Sequence, residues 1–459
     1  MFKKILIAIS ALLLAGTIYA YVSYGPIARA GSGYAAKNIC SGYFLSGFSP
    51  EVMKDQALRG ASSTLADVSH ELDLDNQHVT TRLYGLFERR AIYMPGIGCT
   101  LLPAGEKQAS IALTPLPDLV VSEQLAWPQG RATPGLRADI TAMLETAFIE
   151  EDPERPRHTK AIVVIHNGEL IAERYAEGVT PETPLLGWSM AKSVTALLVG
   201  LLVKDGALDI SAPANVPQWQ SQADDPRAAI TLDQLLRMSS GLEFEETYSV
   251  ATDVTRMLSL ESDMGAFAAS KPLIGPPDTI WSYSSGTTNI ISGIIRRSVG
   301  DSLQGAYTFS QERLFRPLGI ATATLEADRS GTFVGSSYLY ASARDWARLG
   351  QFALQDGVWN GEALLPDGWI DYLVTPTPAS DLNVYGAQVW LNRDPADPDT
   401  ERLLPLLPPD AYYMGGYQGQ LVLVVPSSDL VVTRFGFTPA RNHGMEQVVA
   451  EIIAVLDAE

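Results

Sequence analysis

The sequence predicts an α/β chain of the α+β type, in which an antiparallel sheet is flanked by helices and carries a mainly helical subdomain. Two pairs of β-rich runs, in residues 161–175 and 420–437, are each joined by a short polar turn. Segments with apolar residues at helical spacing lie between and beside these pairs. Because adjacent hairpins favour antiparallel pairing, we expect their strands to share one sheet covered by helices.

The individual elements follow from local patterns. Residues 136–151 have apolar side chains at helical spacing and predict a helix before the first hairpin. That hairpin turns at Asn167-Gly168, a dipeptide typical of tight turns, and the second hairpin turns at residues 427–429. Residues 445–458, again with helical spacing, predict a closing helix.

The charge of the chain limits its partners. Acidic residues outnumber basic ones, 52 against 33, and the net charge is -19. An excess of this sign argues against nucleic acid or anionic lipid as a binding partner. Solubility explains the excess equally well.

The N-terminus predicts export. Lys3 and Lys4 precede an apolar run over residues 5–22, which is typical of a secretory signal or of an uncleaved anchor. The run is barely long enough to span a bilayer, and a small-x-small site follows at residues 28–30. We therefore assign residues 1–30 to a signal peptide or membrane anchor. The protein is expected in the periplasm, or anchored in the membrane and facing the exterior.

Three further regions follow this segment. Short, mixed strand-like segments in residues 31–116 predict a small accessory region, and a proline-punctuated linker covers residues 117–136. The richer pattern of residues 137–459 predicts the main domain.

The sequence has two cysteines, Cys40 and Cys99, both in the accessory region. An exported protein meets an oxidising compartment, so we expect these cysteines to form one disulfide. Two separately buried thiols are the alternative. Two cysteines without clustered histidines do not indicate a zinc site, and we expect no metal.

A serine and a lysine begin the most apolar helix of the chain. On a helix, Ser189 and Lys192 would share a face, and the unsatisfied N–H groups of the first turn favour an oxyanion there. Residues 194–203 are almost entirely apolar, so the helix should be buried. Burial favours the neutral lysine amine, which accepts a serine proton. The alternative is a polar helix start with a lysine that reaches solvent.

A second nucleophile motif overlaps this pair. Residues 187–191 differ by one residue from the G-x-S-x-G elbow of α/β-hydrolases. That motif requires a strand directly before the serine and a histidine partner. Two prolines and no strand-like run precede Ser189, and His443 is the only late histidine, so the elbow is disfavoured.

Two weaker patterns accompany the serine and lysine. Tyr283 and Ser285 lie in a predicted turn before an apolar helix, where a lysine ammonium would favour the tyrosine phenolate and a proton relay. A tyrosine that covers the core is the alternative. Gly415, Gly416 and Gly419 allow a close backbone approach ahead of a strand, although a bulge explains them equally well.

In this order, the three patterns resemble the S-x-x-K, Y-x-N and K-T-G boxes of the serine β-lactamase and penicillin-binding-protein superfamily. Because its second box begins with a tyrosine, the sequence most resembles the class C β-lactamase and esterase branch of this superfamily. Several stretches, "YSSGTTNIISGIIRR" among them, look most like 6-aminohexanoate-dimer hydrolase-like serine hydrolases. The resemblance covers residue 137 to the C-terminus and implies a β-lactamase/transpeptidase-like fold.

The resemblance implies a role for each matching residue. Ser189 would be the acylated nucleophile, Lys192 its proton acceptor and Tyr283 the acid or base near the leaving group. The backbone N–H groups of Ser189 and Gln420 would form the oxyanion hole.

The substrate-binding positions depart from the family pattern. Ser285 replaces the second-box asparagine, and Tyr417-Gln418-Gly419 lies where K-T-G would be, so Ser285, Gln418 and Gly419 are the predicted substrate contacts. The third-box lysine, which helps to hold the carboxylate of a β-lactam or peptide, is missing.

The sequence therefore predicts an exported serine hydrolase that cleaves a small-molecule ester or amide and needs no cofactor. Two alternatives remain: a β-lactamase or D-alanyl carboxypeptidase, and a non-catalytic binding or sensor protein on the same fold.

Overall fold

One long helix, α1 (Phe2–Phe44), begins the computed structural model, which describes residues 2–103, 105–106, 111–221, 223–248, 252–380, 382–395, 399–439 and 443–458. Short helical segments follow it: α2 (Pro50–Val52), a π-helical segment (Met53–Leu58), α3 (Arg59–Ala61) and α4 (Ser63–Ala66). Next come the strands β1 (Ser69–Asp73), β2 (His78–Arg82), β3 (Arg89–Met94), β4 (Gly98–Leu102), β5 (Ser122–Ala126) and β6 (Gly130–Ala132). Strands β1 to β4 form an antiparallel sheet in chain order, and β5 pairs with β6 in parallel.

The two halves of α1 have different surroundings. The described side chains of residues 2–24 are exposed, and this stretch is long and apolar enough to cross a membrane. The second half packs on the four-stranded sheet, and the disulfide Cys40–Cys99 joins α1 to β4. The predicted pairing of the two cysteines is thus present. Helix α1 continues through the predicted boundary at residue 30, and the division of the chain at residues 30, 116 and 136 stays a prediction.

The main region contains the rest of the described elements. Its helices are α5 (Ala138–Leu144), α6 (Ala191–Lys204), α7 (Pro217–Gln220), α8 (Leu232–Leu236), α9 (Asp253–Leu260), α10 (Met264–Ala269), α11 (Ser285–Ser298), α12 (Leu303–Ser310), α13 (Ala343–Leu354), α14 (Trp369–Leu373) and α15 (Met445–Leu456). Its strands are β7 (Thr159–His166), β8 (Glu169–Tyr175), β9 (Leu185–Leu186), β10 (Thr324–Leu325), β11 (Leu339–Ala341), β12 (Val358–Trp359), β13 (Glu362–Ala363), β14 (Trp390–Leu391), β15 (Tyr412–Gly416), β16 (Gln420–Val425) and β17 (Leu430–Gly436).

The six-stranded central sheet has the order β14-β15-β16-β17-β7-β8, and all its pairs are antiparallel. Both predicted hairpins are present, and β17 pairs with β7. Successive side chains point to opposite faces, so Val163 and Ile165 belong to one apolar cluster with residues of α6 and α13, whereas Ile162 and Val164 belong to another with residues of α5 and α15. Helices therefore cover both faces, which explains the continuous apolar run of β7.

The chain between β8 and β14 is the predicted helical subdomain, with α6 to α14 and a small sheet of order β10-β11-β9. Helix α6 lies in its core, and residues 191–202 are all buried. Glycine makes this close packing possible, because a Cβ at Gly200 would lie 2.5 Å from the indole nitrogen of Trp369.

A buried ion pair connects α1 to the main region. Lys37 of α1 donates to Glu326, and their side chains are 5% and 0% exposed. Ser41 also donates to Glu326 at 2.8 Å, and so does the backbone N–H of Cys99 at 2.7 Å. Burial lowers the pKa of Lys37 and raises that of Glu326. The contacts among the pair and its neighbours offset the cost of burying two charges.

We predict that Glu326→Gln lowers the free energy of unfolding by about 3–5 kcal/mol, because it leaves the Lys37 ammonium buried without a counter-charge. Lys37→Met combined with Glu326→Gln should recover most of this loss. Chemical and thermal unfolding measure the effect, and Asp205→Asn, which breaks the exposed pair with Arg313, should change stability by less than about 1 kcal/mol. Equal losses from Glu326→Gln and Asp205→Asn would contradict the prediction.

Candidate active site

Ser189 lies in a 3₁₀ turn, Trp188–Met190, directly before α6. The preceding residue, Trp188, has a φ of 48°, in the left-handed region that bulky residues rarely adopt. Three aromatic rings hold it there, with ring centroids 6.0 Å away in Tyr34, 6.0 Å in Tyr338 and 5.6 Å in Tyr417. The fold therefore stabilises a strained residue next to the predicted nucleophile.

The amine of Lys192 is buried, with the side chain only 1% exposed, and it has three polar neighbours. Its Nζ lies 3.1 Å from Ser189 Oγ, 3.0 Å from Ser285 Oγ and 2.9 Å from the carbonyl oxygen of Ser336. The structure thus brings the predicted serine and lysine together on one helix face.

The protons and lone pairs of each group determine which atom donates and which accepts in these contacts. The Ser336 carbonyl can only accept, and the Ser285 hydroxyl donates its own proton to Glu246, so both accept from Lys192. A neutral amine has two protons and one lone pair, which then faces Ser189. Neutral Lys192 can therefore accept the Ser189 proton without losing another hydrogen bond.

Burial makes this neutral form accessible, because it lowers the pKa of Lys192 to about 8. The carboxylate of Glu246 acts in the opposite direction and raises the pKa of the amine. The balance of these two effects brings the amine into the range of a general base at mildly alkaline pH.

Glu246 also belongs to the site, although its sequence context does not indicate it. Its carboxylate accepts hydrogen bonds from the Ser285 hydroxyl at 2.6 Å and from the Ser285 backbone N–H at 2.8 Å. Burial raises the pKa of Glu246, and the nearby charge of Lys192 lowers it. Glu246 lies in a loop among other acidic residues, where no periodic pattern distinguishes it from its neighbours.

The prediction for Ser285 requires correction. We expected this side chain to contact the substrate, but it is fully buried and bonded to Lys192 and Glu246. It begins α11, and the Glu246 carboxylate caps its N–H. Ser285 therefore connects the carboxylate to the amine.

Tyr283 also differs from the expectation in one respect. It interacts with the Ser189 hydroxyl, and the Lys192 amine lies 4.8 Å from the centre of its ring. However, burial and the charge of Glu246 raise the pKa of Tyr283 well above its usual value. The phenol is therefore favoured over the expected phenolate, and Tyr283 is suited to donate a proton.

The end of β15 lies against the nucleophile turn. A Cβ on Gly416 would come within 2.2 Å of the carbonyl oxygen of Gly187, so only glycine fits there. Along β15, strand β14 pairs with Tyr412 and Tyr413, and the part of this edge near Gly416 faces the turn. Alternate N–H groups of such an edge point away from the sheet.

This register changes the prediction for the third box. Gln420 pairs with Gly416 across the hairpin and is thus one strand further from Gly187 than Gly416. The side chain of Gln420 is buried and donates to the carbonyl oxygens of Tyr417 and Gln418. The predicted oxyanion role of the Gln420 N–H group is therefore not supported by its position.

Gln418 and Gly419 also have other contacts. The buried Gln418 side chain donates to the carbonyl oxygen of Ala57 in the accessory region at 2.8 Å. Arg434, 0% exposed, donates to the carbonyl oxygens of Gln418 at 3.3 Å and Gly419 at 3.0 Å. The two predicted substrate contacts face protein, and the Arg434 guanidinium is buried behind them.

An aromatic cluster borders Tyr283. The ring of Tyr283 lies 5.2 Å from Trp390 and 5.6 Å from Tyr385. Trp390 in turn stacks at 6.3 Å with Tyr413 of β15. Tyr283 and Trp390 are only half-buried, so this aromatic wall is open to a ligand.

The family model described as Beta-lactamase matches residues 143–446, more than half of the chain. The chain belongs to this family. The Beta-lactamase family is one of serine hydrolases, and this assignment confirms the predicted superfamily and fold class. Ser189, Lys192 and Tyr283 all lie inside the matched residues.

Relatives agree with this assignment. A 6-aminohexanoate-dimer hydrolase of Paenarthrobacter ureafaciens is 26% identical over 228 residues, 46% of this chain and 56% of that enzyme. The match thus spans little more than half the length of that relative. The predicted similarity to 6-aminohexanoate-dimer hydrolases is confirmed.

Two solved structures have the same fold. A candidate 6-aminohexanoate-dimer hydrolase from Bacillus anthracis has a TM-score of 0.54 and 23% identity, over 78% of this chain and 89% of that one. EstA from Arthrobacter nitroguajacolicus Rue61a has a TM-score of 0.50 and 18% identity, over 70% and 98%. At these identities the likeness extends to the fold alone.

We predict that kcat/KM for hydrolysis rises with pH through about 8, because only the neutral amine of Lys192 accepts a proton. Glu246→Gln removes the charge that raises the pKa of Lys192, so the rising limb should move to lower pH. Glu245→Gln, an exposed neighbour, serves as the control and should leave the pH–rate profile unchanged. An unshifted profile in Glu246→Gln would exclude this electrostatic role.

We also predict that Gly416→Ala lowers kcat/KM on the order of 100-fold, because its methyl group forces β15 away from the nucleophile turn. Gly293→Ala is the control, since the nearest neighbour of a Cβ on this buried glycine of α11 is the flexible guanidinium of Arg297 at 3.2 Å. Steady-state kinetics and unfolding midpoints of both variants separate loss of geometry from loss of stability. Similar kinetics in the two variants would contradict the close approach.

Proposed function

We propose that the protein is an exported serine hydrolase that cleaves an ester or linear amide through an acyl-enzyme on Ser189. One observation carries the proposal: the buried amine of Lys192 lies 3.1 Å from Ser189 Oγ and has a pKa lowered to about 8. A lone pair directed at a serine hydroxyl is expected of a general base and is not required of a lysine that only stabilises the fold.

Acylation begins when Ser189 Oγ bonds to the substrate carbonyl carbon and its proton passes to neutral Lys192. The Ser189 N–H group, in the turn before α6, is one oxyanion donor. The outward edge of β15 supports the Tyr417 N–H group as the second donor, in place of Gln420. Both are backbone groups and fixed before the substrate arrives.

The leaving group departs with a proton from the Tyr283 phenol, and the Lys192 ammonium then reprotonates Tyr283. This step breaks the bond from the carbonyl carbon to the leaving oxygen or nitrogen, and Lys192 is neutral again. Water attacks the acyl-enzyme next, gives a proton to Lys192, and Ser189 receives that proton as the acid is released.

The surroundings of the site favour a substrate that has no carboxylate next to the scissile bond. The third-box lysine is absent, and the nearby Arg434 is buried and donates to protein carbonyls rather than to the cleft. The aromatic wall of Tyr283, Trp390 and Tyr413 suits an apolar chain. The relative that is a 6-aminohexanoate-dimer hydrolase supports a linear amide as substrate.

Export is supported by two features of the N-terminal region. The exposed half of α1 has the length of a signal anchor, and Lys3 and Lys4 precede its apolar run. The disulfide Cys40–Cys99 is typical of an oxidising compartment. We propose that the hydrolase domain lies outside the cytoplasmic membrane.

We predict that a fluorophosphonate probe labels Ser189, and mass spectrometry of the adduct tests this directly. Lys192→Met should lower kcat/KM for p-nitrophenyl butyrate by about 100- to 10,000-fold, the contribution of a general base. Lys204→Met is the control, a lysine at the opposite end of α6 from Ser189 that donates to the carbonyl oxygen of Leu365 at 3.1 Å. Labelling of another residue, or equal activity in the two lysine variants, would overturn the mechanism.

Substrate class is tested in parallel. The purified protein should hydrolyse the p-nitrophenyl ester and the linear 6-aminohexanoate dimer, and a fluorescent penicillin should not acylate Ser189. Acylation by the penicillin would favour the β-lactamase or D-alanyl carboxypeptidase alternative. Absence of any adduct at Ser189 would favour a non-catalytic binding protein.

A further inference from the structure

The exposed half of α1 ends beside an exposed loop, residues 83–88, that connects β2 to β3. The described side chains up to Tyr24 are exposed, and Gly25 begins the part of the helix that is mostly buried. Near the end of the exposed half of α1, Phe87 of this loop stacks on Tyr21 of the helix, with ring centroids 5.4 Å apart. Two neighbours in the same loop, Tyr84 and Leu86, are 72% and 59% exposed.

We propose that α1 crosses the bilayer and that this loop enters the interfacial layer of the same leaflet as a second membrane contact. The interfacial patch consists of five residues: Tyr21, Tyr24, Tyr84, Leu86 and Phe87. Residues 5–24 of the helix span about 30 Å, which matches the hydrocarbon core of a bilayer. Aromatic side chains are enriched where such a core meets the headgroups.

The contacts of α1 favour retention of the whole helix rather than cleavage after residue 30. The guanidinium of Arg29 lies 5.9 Å from the ring centre of Tyr21 and 6.0 Å from that of Phe87. Ala28 and Ala30, in the small-x-small site, are 5% and 8% exposed. Cleavage would remove Tyr21 and Arg29 from Phe87 and would cut the helix inside its buried part.

Two contacts with the membrane fix the orientation of the catalytic domain. Helix α1 continues from Tyr24 to Tyr34, whose ring stacks on Trp188 beside the nucleophile at 6.0 Å. Ten helical residues rise about 15 Å. The nucleophile turn is therefore held at about this height above the interface, along the axis of α1. This inference does not depend on the hydrolase proposal.

The test compares two exposed leucines in the full-length protein. Leu86→Cys and Leu74→Cys are each labelled with the environment-sensitive dye NBD, because both native cysteines are in the disulfide. Leu74 is 58% exposed and lies in the turn between β1 and β2, so that β2, about 16 Å long, separates this turn from the loop of Leu86. The proteins are reconstituted in nanodiscs with and without lipids brominated in the upper acyl chain.

We expect the dye at residue 86 to shift to the blue and to lose fluorescence in brominated lipid, and the dye at residue 74 to behave as in water. Equal emission and quenching at both positions would overturn the second contact. A membrane-extracted protein whose intact mass shows a start after residue 30 would overturn the retained helix. Neither readout requires activity.

Discussion

The rest of the main region depends on one constraint, which is that an amine must remain in the core close to a serine hydroxyl. A buried amine without partners is costly, and here a carbonyl oxygen and two hydroxyls surround Lys192. The nearest compensating charge, Glu246, lies beyond Ser285 rather than in direct contact. A direct ion pair would keep the amine charged, whereas this arrangement satisfies its bonds in either protonation state.

The same constraint sets how closely helix and sheet must approach. Ser189 precedes a fully buried helix, and the edge of β15 has to meet its turn at backbone distance. Gly416 permits that approach, and Trp188 accepts a left-handed backbone conformation under three packed rings. The strained backbone of Trp188 and the glycine at position 416 are thus consequences of the geometry that the site requires.

Much of this arrangement could be predicted from the sequence, because it depends on short-range patterns. The two hairpins, the buried helix α6 and the pairing of Ser189 with Lys192 follow from alternation, helical spacing and burial. Glu246 could not be found, since its partner is 39 residues away and loops have no periodic signal. The position of Gln420 was misjudged because a short turn, Tyr417–Gly419, separates two strands that the sequence presents as one glycine-rich stretch.

The stacking of Tyr34 on Trp188 makes the accessory region part of the wall beside the nucleophile. The family match begins at residue 143, so Tyr34 lies outside the residues that the family model matches, whereas Trp188 lies inside them. A substitution of Tyr34 in α1 therefore acts on the residue before the nucleophile from a part of the chain that the family model does not match.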